Sequence, residues 1–587
     1  MKKLLITDFL HNKKVNNYSE VYLELPNFDN QHNIIRDKIR FKKWNNYKIK
    51  LNDIKKNFEL YEYFLLEITD LLNNYHNKNF SKKYWSIVLG PWLFRFISSI
   101  SFRWNLLNSL KKENFFYLKR KISLEEIIPL GIEDYTKISN SHYWNHYIYT
   151  KIIEYSFKKK IKIIQGQKLI KNYEREVIYE KLKNKNIKDL ISFNVQKILN
   201  FFFPNKNTLI FSTYMSNLQE IKLNFLLNKS LLYYKTLRPY HLYKNDNLFK
   251  LKRKNSLKFK SSRSDLKDFL GKEILSCLPS AYLENFDNIG NIIKQIPFPK
   301  FPEKIFTTLG ISRSTLLDRY IAENIARGSL LILSQHGGIY FQYKNHFYST
   351  HELKIADKYL SWGNIRDKKI SPIGIIKNIK NLSKKSNRII LEVRKRTGYV
   401  GEIKADSGFL ENENYYKNLC NFFSLLKGKK ISENFFIKLH EVKSFWREKE
   451  QFLSHNSKLK FLDERSSMIK EINSAMLIIH THCGTGHLES LSINKPTLIL
   501  FTQDLNLLNA KTKNYFKKFI KIGIVHKTPK SLFKILEKLN EEKKIKKWWN
   551  LKKRQDLIKK YTRDFGFHNK DKIKNLKQIL SKMQRSA

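Results

Sequence analysis

Two clusters in this chain combine residue types and spacing that could do chemistry. The first is Ser334-Gln335-His336-Gly337-Gly338-Ile339-Tyr340, which follows the apolar run 329–333. An imidazole at the C-terminal end of a strand stands where open α/β sheets present catalytic groups. Its unperturbed pKa of about 6.5 lets it take a proton from a hydroxyl near the working pH. The paired glycines remove side chains that would crowd a ligand, which favours a functional His336 over a turn cap. Gln335, Gly337 and Gly338 then line a substrate cleft. The second cluster lies in 476–501, MLIIHTHCGTGHLESLSINKPTLILF. An apolar run (476–479) leads into a small Gly-rich turn (481–486), an amphipathic segment (487–493), Asn494-Lys495-Pro496 and a second apolar run. This reads as strand, loop, helix, turn, strand. The glycines let the backbone approach a ligand closely, and the loop would deliver unpaired N–H groups at the start of a helix, where the dipole also favours negative charge, so the site suits a phosphate.

The histidines beside that turn invite a metal reading, because His480, His482, Cys483 and His487 include a His-x-His at a strand end. Zinc sites of that kind normally open a barrel near its N-terminus, and here the motif comes late and before a helix. No metal is therefore expected, and His482 is assigned to phosphate. His142 and His146, four apart in HYWNH, lack a third ligand and read as surface or packing residues.

Both clusters need elements behind them, and the chain supplies α/β units. Residues 3–7 form an opening strand. Apolar residues recur at helical spacing from Tyr61 to Leu72, and KKYWSIVLGPWLFRFISSISFRW reads as helix on either side of Gly90-Pro91, its aromatics serving as core. Residues 208–214 and 217–228 form a strand-helix unit, the basic stretch 250–260 a solvated loop, and 314–326 a helix feeding the strand 329–333. HELKIADKYLSWG (351–363) is helix then short strand; 371–374 resembles a linker; 388–393 is a strand opening a second α/β region. A helix at 415–426, a strand at 434–439, a final strand at 522–526 and C-terminal helices complete it. Tail residues from Trp548 to Phe565 recur near helical spacing, so the tail should dock.

At 587 residues with 42% hydrophobic content, two or more cores are expected. The net charge of +58 would suit nucleic acid. It is mostly Lys, spread evenly, and accompanied by heavy use of Asn, Ile, Phe and Tyr, as an A/T-rich coding bias produces; no nucleic-acid partner is expected. Attraction to anionic lipid headgroups and phosphorylated substrates remains. Three scattered cysteines (Cys277, Cys420, Cys483) exclude a disulfide framework and fit a reducing, cytoplasmic setting. No stretch reaches the roughly 18 uninterrupted apolar residues of a spanning helix. The nearest, 84–107, contains Pro91, Arg95 and Arg103 and reads as a buried or interfacial helix pair, so membrane contact should be peripheral.

SQHGGIY, HELKIADKYLSWG and HTHCGTGHLESLSINKPTLILF, in that order, resemble the signature regions of a family of surface-polysaccharide transferases. KKYWSIVLGPWL and DYTKISNSHYWNH, with Asp134, Trp144 and Asn145, are similar to its N-terminal half. More broadly, Gly-Thr-Gly-x-x-Glu before Lys-Pro-Thr resembles the donor region of GT-B glycosyltransferases. The resemblance implies an α/β, GT-B-like fold: two Rossmann-like domains facing a cleft, with extra helices in the N-terminal half. The expected division is 1–350 on the acceptor side, 351–535 for donor binding, and 536–587 as helices docking back. It also implies that Gly484, Thr485 and Gly486 meet the donor phosphates, Glu489 holds the ribose, and Lys438 and His440 neutralise the leaving diphosphate in place of a metal. Many relatives carry Pro after this His, where Glu441 stands here. The implied substrates are a nucleotide-linked donor and a glycan or lipid-linked glycan acceptor, with no cofactor. A nucleotide-sugar epimerase on the same fold is the nearest alternative, ahead of a metal-dependent hydrolase or a basic nucleic-acid-binding protein.

Overall fold

The computed structural model describes residues 2–7, 18–24, 27–28, 34–35, 46–110, 114–122, 127–166, 195, 198, 207–228, 265–296, 298–379, 387–394, 398–405, 409–440 and 446–584. The basic stretch 250–260 and Glu441 lie outside them. Among the described residues, three sheets of four or more strands carry the fold, and every neighbouring pair in them is parallel. The first orders Tyr18–Tyr22, Lys2–Ile6, Phe115–Lys119 and Ile161–Gln165. The middle sheet orders Ile370–Pro372, Lys358–Ser361, Leu330–Ser334, Lys304–Thr307 and Thr208–Phe211. The last orders Lys460–Phe461, Phe435–Lys438, Ile389–Glu392, Leu477–His480, Thr497–Leu500 and Val525–His526. Parallel sheets are covered on both faces, which is why Ile389–Glu392, Leu477–His480 and Thr497–Leu500 read as continuous apolar runs and are buried throughout.

The α/β class is as expected, but the N-terminal half holds two sheets where one Rossmann-like unit was expected. The strands that complete the first sheet, FFYLK and IKIIQ, are short and lysine-bearing, so their period is weak. The middle sheet also runs past residue 350. Lys358–Ser361 pairs with Leu330–Ser334, and the stretch read as a linker is its edge strand Ile370–Pro372. Pro372 ends that edge, where a missing N–H is tolerated.

The expected helix pair around Pro91 is one helix, Lys82–Ser109. Proline removes a ladder bond, yet packing against Tyr47–His76 and Thr315–Ala326 keeps the helix continuous. Gly90 makes the approach possible: a Cβ there would lie 2.6 Å from the Tyr61 hydroxyl and 3.0 Å from the His351 ring. By length and composition this helix could cross a membrane, but it is almost wholly buried inside the fold, with Trp85, Trp92 and Trp104 in the core.

The tail docks twice. Lys552–Phe565 packs on Thr485–Ser492 beside the last sheet, while Lys572–Lys582 crosses back to Asn217–Asn228. There Leu576 and Leu580 join Ile210, Phe306, Ile332 and Leu360 in the middle sheet's outer core.

Candidate active site

The C-terminal edges of the middle and last sheets face one another where their two glycine loops touch. The Gly338 amide donates to Thr485 Oγ1 at 3.0 Å. The contact depends on a bare Gly338: a Cβ there would sit 2.8 Å from both the Gly484 carbonyl carbon and Thr485 Cα, and closer still to the Gly484 oxygen. Buried Gln342 ties the loops together. Its amide donates to the Gly338 carbonyl, and its oxygen accepts from Tyr561 and from Cys483 Sγ, the latter at 3.2 Å. Tyr561, from helix Lys552–Phe565, also pairs with His487 Nε2 at 2.8 Å. The clusters read separately from sequence are thus brought into contact.

On the middle-sheet wall, His336 follows strand Leu330–Ser334 and keeps 21% of its side chain exposed. Burial holds its imidazole down to about 3, with Arg313 and His346 acting in the same direction. It is therefore neutral with a lone pair available. Gln335 is 1% exposed, and its side chain is a brace: it donates to the Gly337 carbonyl at 2.9 Å and accepts from the Trp362 amide at 3.0 Å. Of the expected cleft-lining set, Gln335 thus holds the loop from behind and Gly338 serves loop contact. A Cβ on Gly337 would make only ordinary contacts, with the Tyr340 ring at 3.6 Å and Thr485 Oγ1 at 3.7 Å.

On the last-sheet wall, parallel register sets Glu392 between Lys438 and His480 at the strand ends. His480 Nδ1 lies 2.5 Å from Glu392 Oε2, and His440 Nε2 lies 3.3 Å from Oε1. Burial alone would raise the Glu392 carboxyl; hydrogen bonds to His440 and His480, with the nearby charges of His480 and His482, hold it well below its usual value. His480 Nε2 also meets Ser490 Oγ at 2.9 Å, a Ser-His-Glu arrangement of hydrolase type. Ser490 is fully buried and gives its proton to the Gly486 carbonyl, so it presents no nucleophile. The histidines of the His-x-His part company, since His482 Nδ1 has no hydrogen-bond partner among the described residues. Burial lowers His482 to about 4, opposed by Glu392 and reinforced by Arg394. Helix Thr485–Ser492 starts at Gly484 without a side-chain cap, leaving its first N–H groups for a ligand.

Two expected donor contacts are turned elsewhere. Lys438 is 1% exposed and donates to the Asp463 and Glu464 carbonyls, both at 2.8 Å. Glu489, also 1% exposed, is ion-paired to Lys377 at 2.9 Å, so in this structure Lys377 and not a ribose occupies it. His142 and His146 are packing residues as expected: His146 meets Thr7 and Tyr117 at 2.9 and 3.0 Å, and His142 meets Tyr399 at 2.6 Å.

Sequence reasoning missed Glu392, Lys377 and Glu352. Glu392 carried a usable signal, a lone carboxylate closing the apolar run 389–391, the same pattern that exposed His336. Lys377 carried none.

A family model described as LIC12162 family transferase matches residues 14–580. No curated protein matches the sequence. Among solved structures, the S. aureus MnaA–UDP co-structure is similar at 12% identity over 65% of this chain and 99% of that one, TM-score 0.35. The Neisseria meningitidis UDP-GlcNAc 2-epimerase bound to UDP-GlcNAc is similar at 11% identity over 60% and 98%, TM-score 0.32. Acinetobacter baumannii MurG is similar at 14% identity over 51% and 78%, TM-score 0.30.

Proposed function

The chain belongs to the LIC12162 transferase family, and on that premise we propose that it moves a sugar or related group from a nucleotide-activated donor to a hydroxyl of a surface-glycan acceptor. The observation that carries this reading is the contact of Gly338 with Gly484 and Thr485, which sets a neutral imidazole opposite an uncapped helix N-terminus. Donor phosphates are assigned to the backbone of Gly484, Thr485 and Gly486, with His482 as an added donor and His440 beside the leaving group. Preorganised N–H groups and a helix dipole stabilise departing negative charge without a metal. Glu392 keeps His440 and His480 oriented. Glu489 and Lys438 act from behind this surface, through Lys377 and the 463–464 turn.

His336 is the acceptor-side base. Holding a hydroxyl beside it and the donor opposite supplies the proximity on which group transfer depends. A cytoplasmic enzyme at the inner membrane face, meeting a lipid-linked acceptor, would use the net charge of +58 to approach anionic headgroups.

A panel of nucleotide-linked donors, read by thermal shift, tests the donor assignment, because a ligand that binds only the folded state raises the melting temperature. At least one nucleotide should stabilise the protein. With that donor, His336→Ala should lose transfer by about a hundredfold or more while retaining nucleotide affinity. Undiminished turnover would remove His336 from the mechanism.

A further inference from the structure

We propose that Glu352 is the positioning residue for His336: through the Tyr340 hydroxyl it holds the imidazole in place, and it supplies the counter-charge when the ring takes a proton from the acceptor. The proposal rests on the reading of His336 as the base. Glu352 lies on helix Phe347–Ile355, buried, with Oε1 3.6 Å from His336 Nδ1. Tyr340 donates its proton to Oε1 at 2.7 Å, and Tyr359 donates to Oε2 at 3.0 Å. A phenol has one proton, so the Tyr340 oxygen, 3.0 and 3.1 Å from the two ring nitrogens, faces His336 only as an acceptor. Almost equally far from both nitrogens, it accepts from whichever carries the proton, and the other stays unprotonated.

An imidazole held near 3 is a feeble base unless its cationic form is compensated as it appears. An ionised Glu352 provides that compensation, and two phenol protons await its oxygens. Burial raises the Glu352 carboxyl to about 8, opposed by the hydrogen bonds from Tyr340 and Tyr359 and by the Arg313 charge. The other titratable groups around the relay are His346, whose ring is 4.8 Å from that of Tyr340, and Tyr348. The competent pair is neutral His336 with ionised Glu352, so its population grows as pH rises towards 8.

In the step itself the acceptor O–H bond breaks and its proton passes to the free nitrogen of His336. The oxygen bonds to the donor carbon, and the bond from that carbon to the nucleotide phosphate oxygen breaks, its electron pair leaving with the phosphate. Glu352 neutralises the resulting imidazolium until it releases its proton to solvent.

The test measures kcat and KM against pH on the full chain, with the donor found by the nucleotide panel, for wild type and for Glu352→Gln, Tyr340→Phe and His336→Ala. Wild type should gain activity with pH up to about 8. Glu352→Gln should lose that limb and at least about tenfold in kcat, with nucleotide affinity unchanged. Tyr340→Phe should lower kcat in the same direction. If His336→Ala is inactive while Glu352→Gln keeps both the limb and the rate, the relay is wrong and the base stands. If His336→Ala is active, the base reading itself fails. Should Glu352→Gln not fold, an unchanged kcat in Tyr340→Phe overturns the proposal.

Discussion

Adjacent glycines in the Gly337-Gly338 pair should respond differently to the same substitution. Ordinary van der Waals contact for an added Cβ begins near 3.4 Å; in Gly338→Ala it would meet two backbone atoms of the opposite loop at 2.8 Å, while in Gly337→Ala its nearest neighbour would be a ring carbon at 3.6 Å. Backbone atoms cannot swing aside as a side chain can, so Gly338→Ala must part the loops by at least about half an ångström. Overpacking of this kind costs about 1–3 kcal/mol. Stretching the bond from the Gly338 amide to Thr485 adds about 1 kcal/mol. If the closed arrangement is the one that transfers, a total of roughly 2–4 kcal/mol lowers turnover by about thirty- to a thousandfold. Nucleotide affinity should fall far less, because the helix N-terminus proposed to meet the phosphates stays intact. Turnover and calorimetric titration with the donor from the nucleotide panel, run on both variants, give the comparison, with Gly337→Ala expected within a few-fold of wild type. Equal activity of the two variants would show that the loops need not touch for transfer, and the two-walled site would have to be abandoned.

Two further outcomes follow from the buried groups. Glu392 is held below its usual range, so its stabilisation is present above the unfolded value near 4.3 and lost as pH falls through the folded value; Glu392→Gln should therefore cost about 3–5 kcal/mol at pH 7, with the gap in urea midpoints narrowing only in acid. Replacing Leu576 or Leu580 by Ala should cost about 2–5 kcal/mol each, since both are fully buried against the middle sheet; unchanged denaturation curves would mean that helix Lys572–Lys582 does not dock there in solution.

What could be read from the sequence followed from burial. Strands enclosed on both faces become apolar runs, and a polar residue or glycine pair closing such a run marks a sheet's C-terminal edge, which is how His336 and the 481–486 turn could be found. Lys438 closes such a run too, but its long flexible stem lets the ammonium turn back to the Asp463 and Glu464 carbonyls, a choice set by a loop 25 residues away. Glu489 sits one turn into its helix as expected, yet the residue that meets it, Lys377, comes from the crossing between sheets, where nothing local announces a partner. Glu352 was in plain view in HELKIADKYLSWG, but a carboxylate on a helix has no visible role until Tyr340 and Tyr359 are seen to converge on it. The first sheet was the least legible part. Lysines in every one of its strands but Tyr18–Tyr22 blur a pattern that the basic composition already weakens.

That first sheet bears on the site through the arm 398–405, which extends from the last sheet's strand Ile389–Glu392. Tyr399 donates to the Thr7 carbonyl at 2.7 Å, the Val400 amide to Glu24 at 2.8 Å, and the Ile403 amide to Ser98 Oγ at 2.7 Å. Beneath the arm, fully buried Arg103 pairs with Glu24 at 3.0 Å, donates to the Val400 carbonyl at 3.2 Å and to Asn145, and lies over the Trp144 ring. A buried ion pair roughly breaks even against apolar packing, so stability alone does not account for it. What it adds is direction: Glu24 and Arg103 each spend a bond on the arm's backbone, which admits one register and no other. Trp144 and Asn145 of the HYWNH stretch therefore belong, through Arg103, to a clamp on the arm 398–405.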